Sequence, residues 1–246
     1  MEISTRLIDK IERTPNSASF RFERPEGADF TAGQYFILTI KVNGEHASKP
    51  FSFSSSPTEK DHLEFTKKFT ESDFSKALKG LQKGDMVDIK MPFGKFTLEQ
   101  ARGEKVAFLS GGIGITPVRS ICKYATDKEL TTDIVLLYGN QTQRDIAFRQ
   151  DLEDMQKLNG RLKVVHTLTC PVDEAGCWNG NCGIIDEEMV KRDIPDIEER
   201  TFYVCGPPGM VDCLMNVLKD KLAIPEERVV VEQFMGYKDK AQKKEA

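Results

Sequence analysis

A run of glycines, Gly111-Gly112-Ile113-Gly114-Ile115-Thr116-Pro117, stands directly behind the apolar stretch Val106-Ala107-Phe108-Leu109-Ser110. A buried strand that passes through clustered glycines into a helix can turn sharply and let a ligand approach its main chain, because glycine carries no Cβ. The free N–H groups of the first helical turn then face an anion, and a dinucleotide phosphate suits that arrangement. The run departs from the Gly-x-Gly-x-x-Gly of other dinucleotide folds, since Pro117 occupies the sixth position. Proline in a first helical turn forfeits no hydrogen bond and fixes the helix start. Glycine turns are common, and this one gains weight from three other segments: Lys49-Pro50-Phe51-Ser52, Cys205-Gly206-Pro207-Pro208-Gly209-Met210 and Glu232-Gln233-Phe234.

These segments need elements to position them. The first hundred residues read as short strands: Arg6 to Ile11, Ser19 to Phe22, Gly33 to Val42 closed by the turn Asn43-Gly44, Leu63 to Phe69, and Met86 to Met91. A short helix with apolar positions 74, 77, 78 and 81 on one face interrupts them. Such a pattern predicts a small antiparallel barrel or sandwich. Beyond residues 99–104 the rhythm changes. Strands at Val106 to Leu109, Ile134 to Tyr138, Leu162 to Thr169, Phe202 to Cys205 and Val229 to Val231 alternate with helices around Val118 to Tyr124, Ala147 to Leu158 and Met210 to Leu222. That alternation predicts a parallel sheet covered on both faces. The expected organisation is therefore an antiparallel β-barrel over 1–100, an α/β parallel-sheet domain over 101–234, and a charged tail over 235–246.

A chain of 246 residues with 39% apolar and 30% charged residues has the composition of a globular protein. Its formal charge of −4, without a basic stripe interleaved with aromatics, argues against nucleic-acid binding. No apolar run approaches the roughly 20 residues needed to span a bilayer. The first ten residues lack the pattern of a signal peptide, so a cytoplasmic location is expected. Among six cysteines only Cys177 and Cys182 have a spacing seen in iron–sulfur loops, and no Cys-x-x-Cys completes it. With three histidines, none spaced for zinc, the expectation is reduced thiols and no metal.

A β-barrel joined to an α/β domain, carrying these motifs in this order, resembles the ferredoxin–NADP reductase family from about Thr5 to Phe234. The resemblance implies FAD held by the barrel, NADH or NADPH held by the second domain, and hydride passing between the two rings in a cleft. The electrons would then go to a protein acceptor such as ferredoxin, flavodoxin or an iron–sulfur subunit. Lys49-Pro50-Phe51-Ser52 is similar to the family's Arg-x-Tyr-Ser signature. It implies Lys49 on phosphate, Phe51 against the ring and Ser52 near flavin N5, with Pro50 among the cofactor-binding residues. Lysine keeps the charge of arginine and loses its bidentate fork. Ser72-Asp73-Phe74-Ser75 resembles the family's Gly-x-x-Ser pyrophosphate cradle, with Ser72 in place of glycine and Asp73 adding a negative charge. Ser75 can cap the helix or bind an anion at its N-terminus. Met91-Pro92-Phe93-Gly94-Lys95-Phe96 resembles a family turn that closes the barrel.

In the second domain the resemblance implies that Gly111, Gly112, Gly114, Ile115, Thr116 and Pro117 hold the nicotinamide nucleotide, with the Thr116 hydroxyl at a ring edge. Cys205, Gly206 and Pro207 would lie beneath the nicotinamide, Cys205 near the reacting carbon. A buried cysteine can equally be a small packing residue. Glu232 and Phe234 resemble a terminal Glu-x-Tyr or Glu-x-Phe, in which the aromatic shields the flavin and the carboxylate orients a polar partner. Tyr237 could serve as a second lid, and an exposed tail residue is the favoured reading for it. Arg144, in Gly139-Asn140-Gln141-Thr142-Gln143-Arg144-Asp145, could serve a 2′-phosphate or pair with Asp145, and the balance favours NADH. The expected catalytic set is Ser52, Cys205, Glu232 and Phe234. Other readings stand beside this one. The chain could reduce free flavin, which Lys49 and Ser72 keep open, serve as an electron-transfer subunit of a larger complex, or sense nucleotides without turnover.

Overall fold

The computed structural model describes residues 1–170, 172–173 and 176–234. The expected tail, 235–246, and Tyr237 with it lie outside the described residues. Six strands come first: β1 (Glu2–Thr14), β2 (Ser17–Glu23), β3 (Tyr35–Val42), β4 (Glu45–Ser52), β5 (His62–Lys68) and, after helix α1 (Asp73–Gly80), β6 (Met86–Phe93). They form one antiparallel sheet in the order β4-β3-β6-β1-β2-β5. Phe53, just past β4, bridges Phe65 in β5, so the two edges of the sheet meet and the barrel closes.

Alternation builds the barrel's interior. Phe36, Leu38 and Ile40 of β3 and Val87, Ile89 and Met91 of β6 point inward and are buried, with their neighbours more exposed. The inner face is rich in phenylalanine, and Phe20, Phe22, Phe36, Phe53 and Phe65 are wholly buried. Asn43 and Gly44 both take positive φ, 51° and 89°, and give the two-residue hairpin turn expected at the end of β3. The second arm of this hairpin differs from the sequence-based expectation. Residues 45–52, which the sequence-based strands leave out, form a full strand, so the Lys49–Ser52 motif is the end of β4. Pro50 is tolerated there because β4 pairs in register only with β3.

The second half comprises β7 (Lys105–Gly111), α2 (Ile115–Asp127), β8 (Asp133–Asn140), α3 (Arg149–Leu158), β9 (Leu162–Leu168), the short strands β10 (Val172–Asp173), β11 (Gly176–Cys177) and β12 (Asn181–Cys182), α4 (Glu187–Asp193), β13 (Thr201–Gly206), α5 (Pro208–Asn216) and β14 (Val229–Gln233). A six-stranded parallel sheet runs β12-β9-β8-β7-β13-β14. The near-continuous apolar runs of β7, β8 and β13 are the signature of strands covered on both faces. One face packs Ala107, Leu109, Val135, Leu137, Phe202 and Val204 against α4 and α5. Helix α4 is too short for its periodicity to stand out in the sequence. Its start is nonetheless marked, since the Asp186 carboxylate accepts the Met189 amide.

By proximity of the backbone the chain divides into two units. The first is Met1–Gln100 with Thr116–Leu130 and Ile146–Gly160, hence the barrel with α2 and α3. The second is Ala101–Ile115, Thr131–Asp145 and Arg161–Ala246, hence the parallel sheet with α4 and α5. Among the described residues no helix is long and apolar enough to cross a membrane.

Candidate functional site

The parallel sheet carries one group of candidate residues. From β7 the chain builds outward through β8 and β9 on one side and returns to β13 and β14 on the other. Ligands of open α/β sheets bind outside the carboxyl ends of the strands where the order reverses, here the ends of β7 and β13. Gly111 ends β7, Gly112–Gly114 makes a tight 3-10 turn, and Ile115 opens α2. Gly112 has φ +52°, and nothing lies within 4 Å of where a Cβ would stand, so the turn is open on that side. At Gly114 a Cβ would meet the Cys205 carbonyl oxygen at 2.4 Å, so this turn is packed directly on the end of β13.

Cys205 and Gly206 finish β13, and Pro207 caps α5. Cys205 is register partner to Glu232 in β14, and the Phe234 amide donates to the Gly206 carbonyl at 3.2 Å. The structure therefore gathers Gly111, Gly112, Gly114, Cys205, Gly206, Pro207, Glu232 and Phe234 at one end of the sheet. Cys205 is wholly buried, and burial, reinforced by the Glu232 charge, pushes its thiol well above the ordinary range. It stays protonated at neutral pH and offers a neutral sulfur, not a thiolate nucleophile.

Two residues given no role by the sequence motifs sit at the carboxyl ends of β7 and β8. Ser110 Oγ and both carboxamide atoms of Asn140 are buried and have no hydrogen-bond partner. Buried polar groups are normally paired, so these three atoms suit the polar edges of a bound nucleotide. The sequence does carry a signal for them, since each is a lone polar side chain at the end of an apolar strand, VAFLS and VLLYGN. Beyond Asn140, the Thr142 amide and hydroxyl both donate to Asp145 Oδ2, at 3.1 and 2.8 Å, while Arg144 is exposed.

The barrel carries the other group. Lys49 and Pro50 are exposed on β4, Phe51 is half-buried and Ser52 is buried. The Phe51 ring lies 4.5 Å from Phe65 and 6.0 Å from Phe74, so part of it belongs to the core. At α1 the cap is Ser72, whose hydroxyl accepts the Ser75 amide. Ser75 is buried inside the turn and its Oγ accepts the Thr70 amide at 2.9 Å. Serine at 72, where the resemblance expects glycine, thus takes the capping task from Ser75. Thr116 and Pro117, in the first turn of α2, are both buried.

Lys67 of β5 is a further residue outside the sequence motifs. It is only 8% exposed, and burial, with Lys49 adding repulsion, pulls its ammonium down to about 8. Two cations that repel each other make this part of the barrel favourable to an anion. A lysine in an alternating strand gives no sequence signal of its own. Among the described residues no group of three or more His, Cys, Asp or Glu is arranged to hold a metal.

Comparison with known proteins agrees with the geometry. Residues 4–98 match the oxidoreductase FAD-binding domain and residues 108–216 the oxidoreductase NAD-binding domain. The plasma membrane-associated coenzyme Q6 reductase PGA3 of Saccharomyces cerevisiae is 30% identical over 223 residues, 88% of this chain and 70% of that relative. NADH-cytochrome b5 reductase 1 of Candida glabrata is 31% identical over 217 residues, 83% of this chain and 74% of the relative. A solved ferredoxin NADP+ reductase from Neisseria gonorrhoeae, with bound FAD and NADP, shares the fold at TM-score 0.80 and 20% identity, over 94% of this chain and 98% of that one.

Proposed function

The chain belongs to the ferredoxin–NADP reductase family of FAD- and NAD(P)H-dependent oxidoreductases, and from that premise we propose that it oxidises NADH and passes the electrons to a one-electron protein acceptor of the cytochrome b5 kind. FAD held by the barrel would supply the redox chemistry that couples a two-electron hydride donor to a one-electron acceptor. The observation that carries the reading is the glycine turn Gly111–Gly114 seated on Cys205, with the unpartnered Ser110 and Asn140 beside it.

The chain's residues divide the remaining work. Lys49 and Lys67 neutralise phosphate, and Phe51 gives the flavin ring an apolar face. Ser52 and Thr116 offer hydroxyls at the reacting edges. Ser110, Asn140 and the Gly112 turn hold the nucleotide, and Cys205 packs against the nicotinamide as a neutral thiol. Glu232 orients a polar partner, while Phe234 keeps water off the flavin. The choice of NADH is supported by Asp145, whose carboxylate is held on the loop after β8 by Thr142. A fixed negative charge there opposes a 2′-phosphate.

The acceptor reading rests on the two relatives at 30% and 31% identity, whose names point to coenzyme Q6 and cytochrome b5. A cytoplasmic location remains part of the proposal. An anaerobic titration followed by flavin bleaching tests the whole reading. NADH should bleach the flavin with kcat/KM at least about tenfold above NADPH, a preference of about 1.4 kcal/mol, and cytochrome b5 should then reoxidise it. Equal use of NADPH would remove the Asp145 argument. Reoxidation by ferredoxin but not by cytochrome b5 would overturn the acceptor.

A further inference from the structure

Arg119, in the second turn of α2, is 5% exposed and spends every N–H it has. Nη1 donates to the Ser54 carbonyl at 3.0 Å and to Glu59 Oε2. Nη2 donates to Glu59 Oε1 at 3.2 Å and to Asp151 Oδ2 at 2.9 Å, and Nε to the same Asp151 oxygen at 3.1 Å. The next residue repeats the contact, since Ser120 Oγ donates to the Ser55 carbonyl at 2.7 Å. Two consecutive side chains of α2 thus bind two consecutive carbonyls of the segment that leaves β4. The far side of that segment is held as firmly. The Ser54 amide donates to the Glu64 carbonyl at 2.8 Å, and the Ser54 hydroxyl to its carboxylate at 2.9 Å. Arg13 and Arg21 pair with the same carboxylate.

A second observation marks the cluster as more than packing. Phe148, which precedes α3, has φ +59°, a left-handed backbone that a bulky residue rarely adopts. Its ring lies 5.6 Å from the Arg119 guanidinium and 4.6 Å from that of Arg13. Strain of this kind persists only where the surroundings over-determine it, and here it keeps an aromatic face against both guanidinium groups.

Ser54 follows Ser52 by two residues, and Arg119 follows Thr116 by three. We propose that Arg119 and Ser120 are positioning residues, which fix the first turn of α2 to the end of the flavin strand and so set the geometry for hydride transfer. The inference rests on the FAD–NADH reading above. Neither residue touches the reacting atoms. Both act through backbone, where a displacement of about 1 Å can cost on the order of a hundredfold in rate.

The test is single-turnover reduction by NADH, measured per bound flavin, for wild type, Arg119→Lys and Ser120→Ala. Lysine keeps the charge and cannot serve a carbonyl and two carboxylates from a planar fork. Arg119→Lys should lower the limiting reduction rate by about tenfold or more and leave the NADH Kd within about twofold. Ser120→Ala leaves the ion cluster intact and should lower the rate about threefold with full flavin content. A merely structural role would change flavin content or Tm and not the rate per bound flavin. If Arg119→Lys folds and matches wild type, the inference is overturned. If that variant fails to fold, a wild-type rate in Ser120→Ala overturns it and a slowed rate supports it. A wild-type protein whose flavin NADH does not reduce defeats the parent reading instead, so the two failures are distinct.

Discussion

The end of β4 with the segment that follows it, and the end of β7 with its glycine turn, each carry residues expected to face a cofactor, Ser52 in one and Gly111–Gly114 in the other. Their polar groups are treated in opposite ways. Around residues 52–56 the charged groups are paired, although His62 Nε2 beside them is buried without a partner. Arg13, Arg21 and Arg119 balance Glu59, Glu64 and Asp151, and the serines between them are hydrogen-bonded. At the ends of β7 and β8 the glycine turn stands open at Gly112, while Ser110 and Asn140 keep buried polar atoms unsatisfied. The contrast suggests a division of labour between a resident cofactor and an exchanging one. A barrel that keeps FAD through many turnovers gains from rigidity built before the ligand arrives. A nucleotide that comes and goes can instead supply the missing hydrogen bonds itself, and binding then recovers what the free protein forgoes.

The sharpest way to break the comparison is to remove a charge from the barrel cluster. Burial works against the Glu64 carboxylate, but Arg13, Arg119 and Arg21 outweigh it and hold its pKa below 4.5. A carboxylate depressed in the folded state contributes stability above its unfolded pKa and loses it as pH falls through the folded value. Glu64→Ala should therefore cost about 3 kcal/mol at pH 7 by leaving the half-buried Arg13 and Arg21 without their carboxylate. The difference from wild type in urea unfolding should shrink as pH falls through the folded pKa of Glu64. A cost under about 1 kcal/mol would mean the cluster is solvated and not a rigid frame.

Lys67 is the exception within the barrel, a buried cation repelled by Lys49 that donates to the Lys68 carbonyl at 3.1 Å. Its folded pKa of about 8 lies below the 10.5 of an ordinary lysine, so the unfolded chain binds the extra proton between those values. The destabilisation is complete below about pH 8 and fades as pH rises toward 10.5. Lys67→Met should raise stability at pH 7 by about 2 kcal/mol and flatten that alkaline rise, while weakening anion binding. Thermal melts from about pH 7 to 10 on flavin-free protein would show it. A destabilised variant would place the ammonium among stabilising contacts and remove it from the anion argument.

The smallest effect belongs to the sheet. Asn140→Leu fills similar volume and removes two unsatisfied groups, so stability should hold or rise by about 1 kcal/mol. NADH affinity should fall by about tenfold, one hydrogen-bonded group's worth. Calorimetric titration of both proteins measures it. Unchanged affinity would detach Asn140 from the nucleotide.

What is legible in the sequence is local. The Asn43-Gly44 turn, the apolar runs of the parallel strands and the glycine and Cys205 turns each carry their signal within a few residues. Strand β4 is hidden because Glu45-His46-Ala47-Ser48-Lys49-Pro50 is polar and contains a proline, which only an edge position tolerates. The resemblance draws attention to Ser75 and treats Ser72 as a substituted glycine, yet a serine three residues earlier is the natural acceptor for the Ser75 amide. The Arg119 cluster is not legible at all, since Glu59 lies 60 residues away and Asp151 32. The glycine cradle is visible, but that Gly114 needs its space for the Cys205 carbonyl is a fact of the folded chain.

The difference between a prebuilt flavin segment and a ligand-completed nucleotide turn is open to one direct measurement, amide hydrogen exchange on the FAD-bound protein with and without saturating NAD+. The account expects new protection at Gly112–Ile115, Asn140 and Cys205–Gly206, with residues 53–56 and 119–120 already protected and unchanged. New protection concentrated at 53–56, with the glycine turn unaffected, would contradict it.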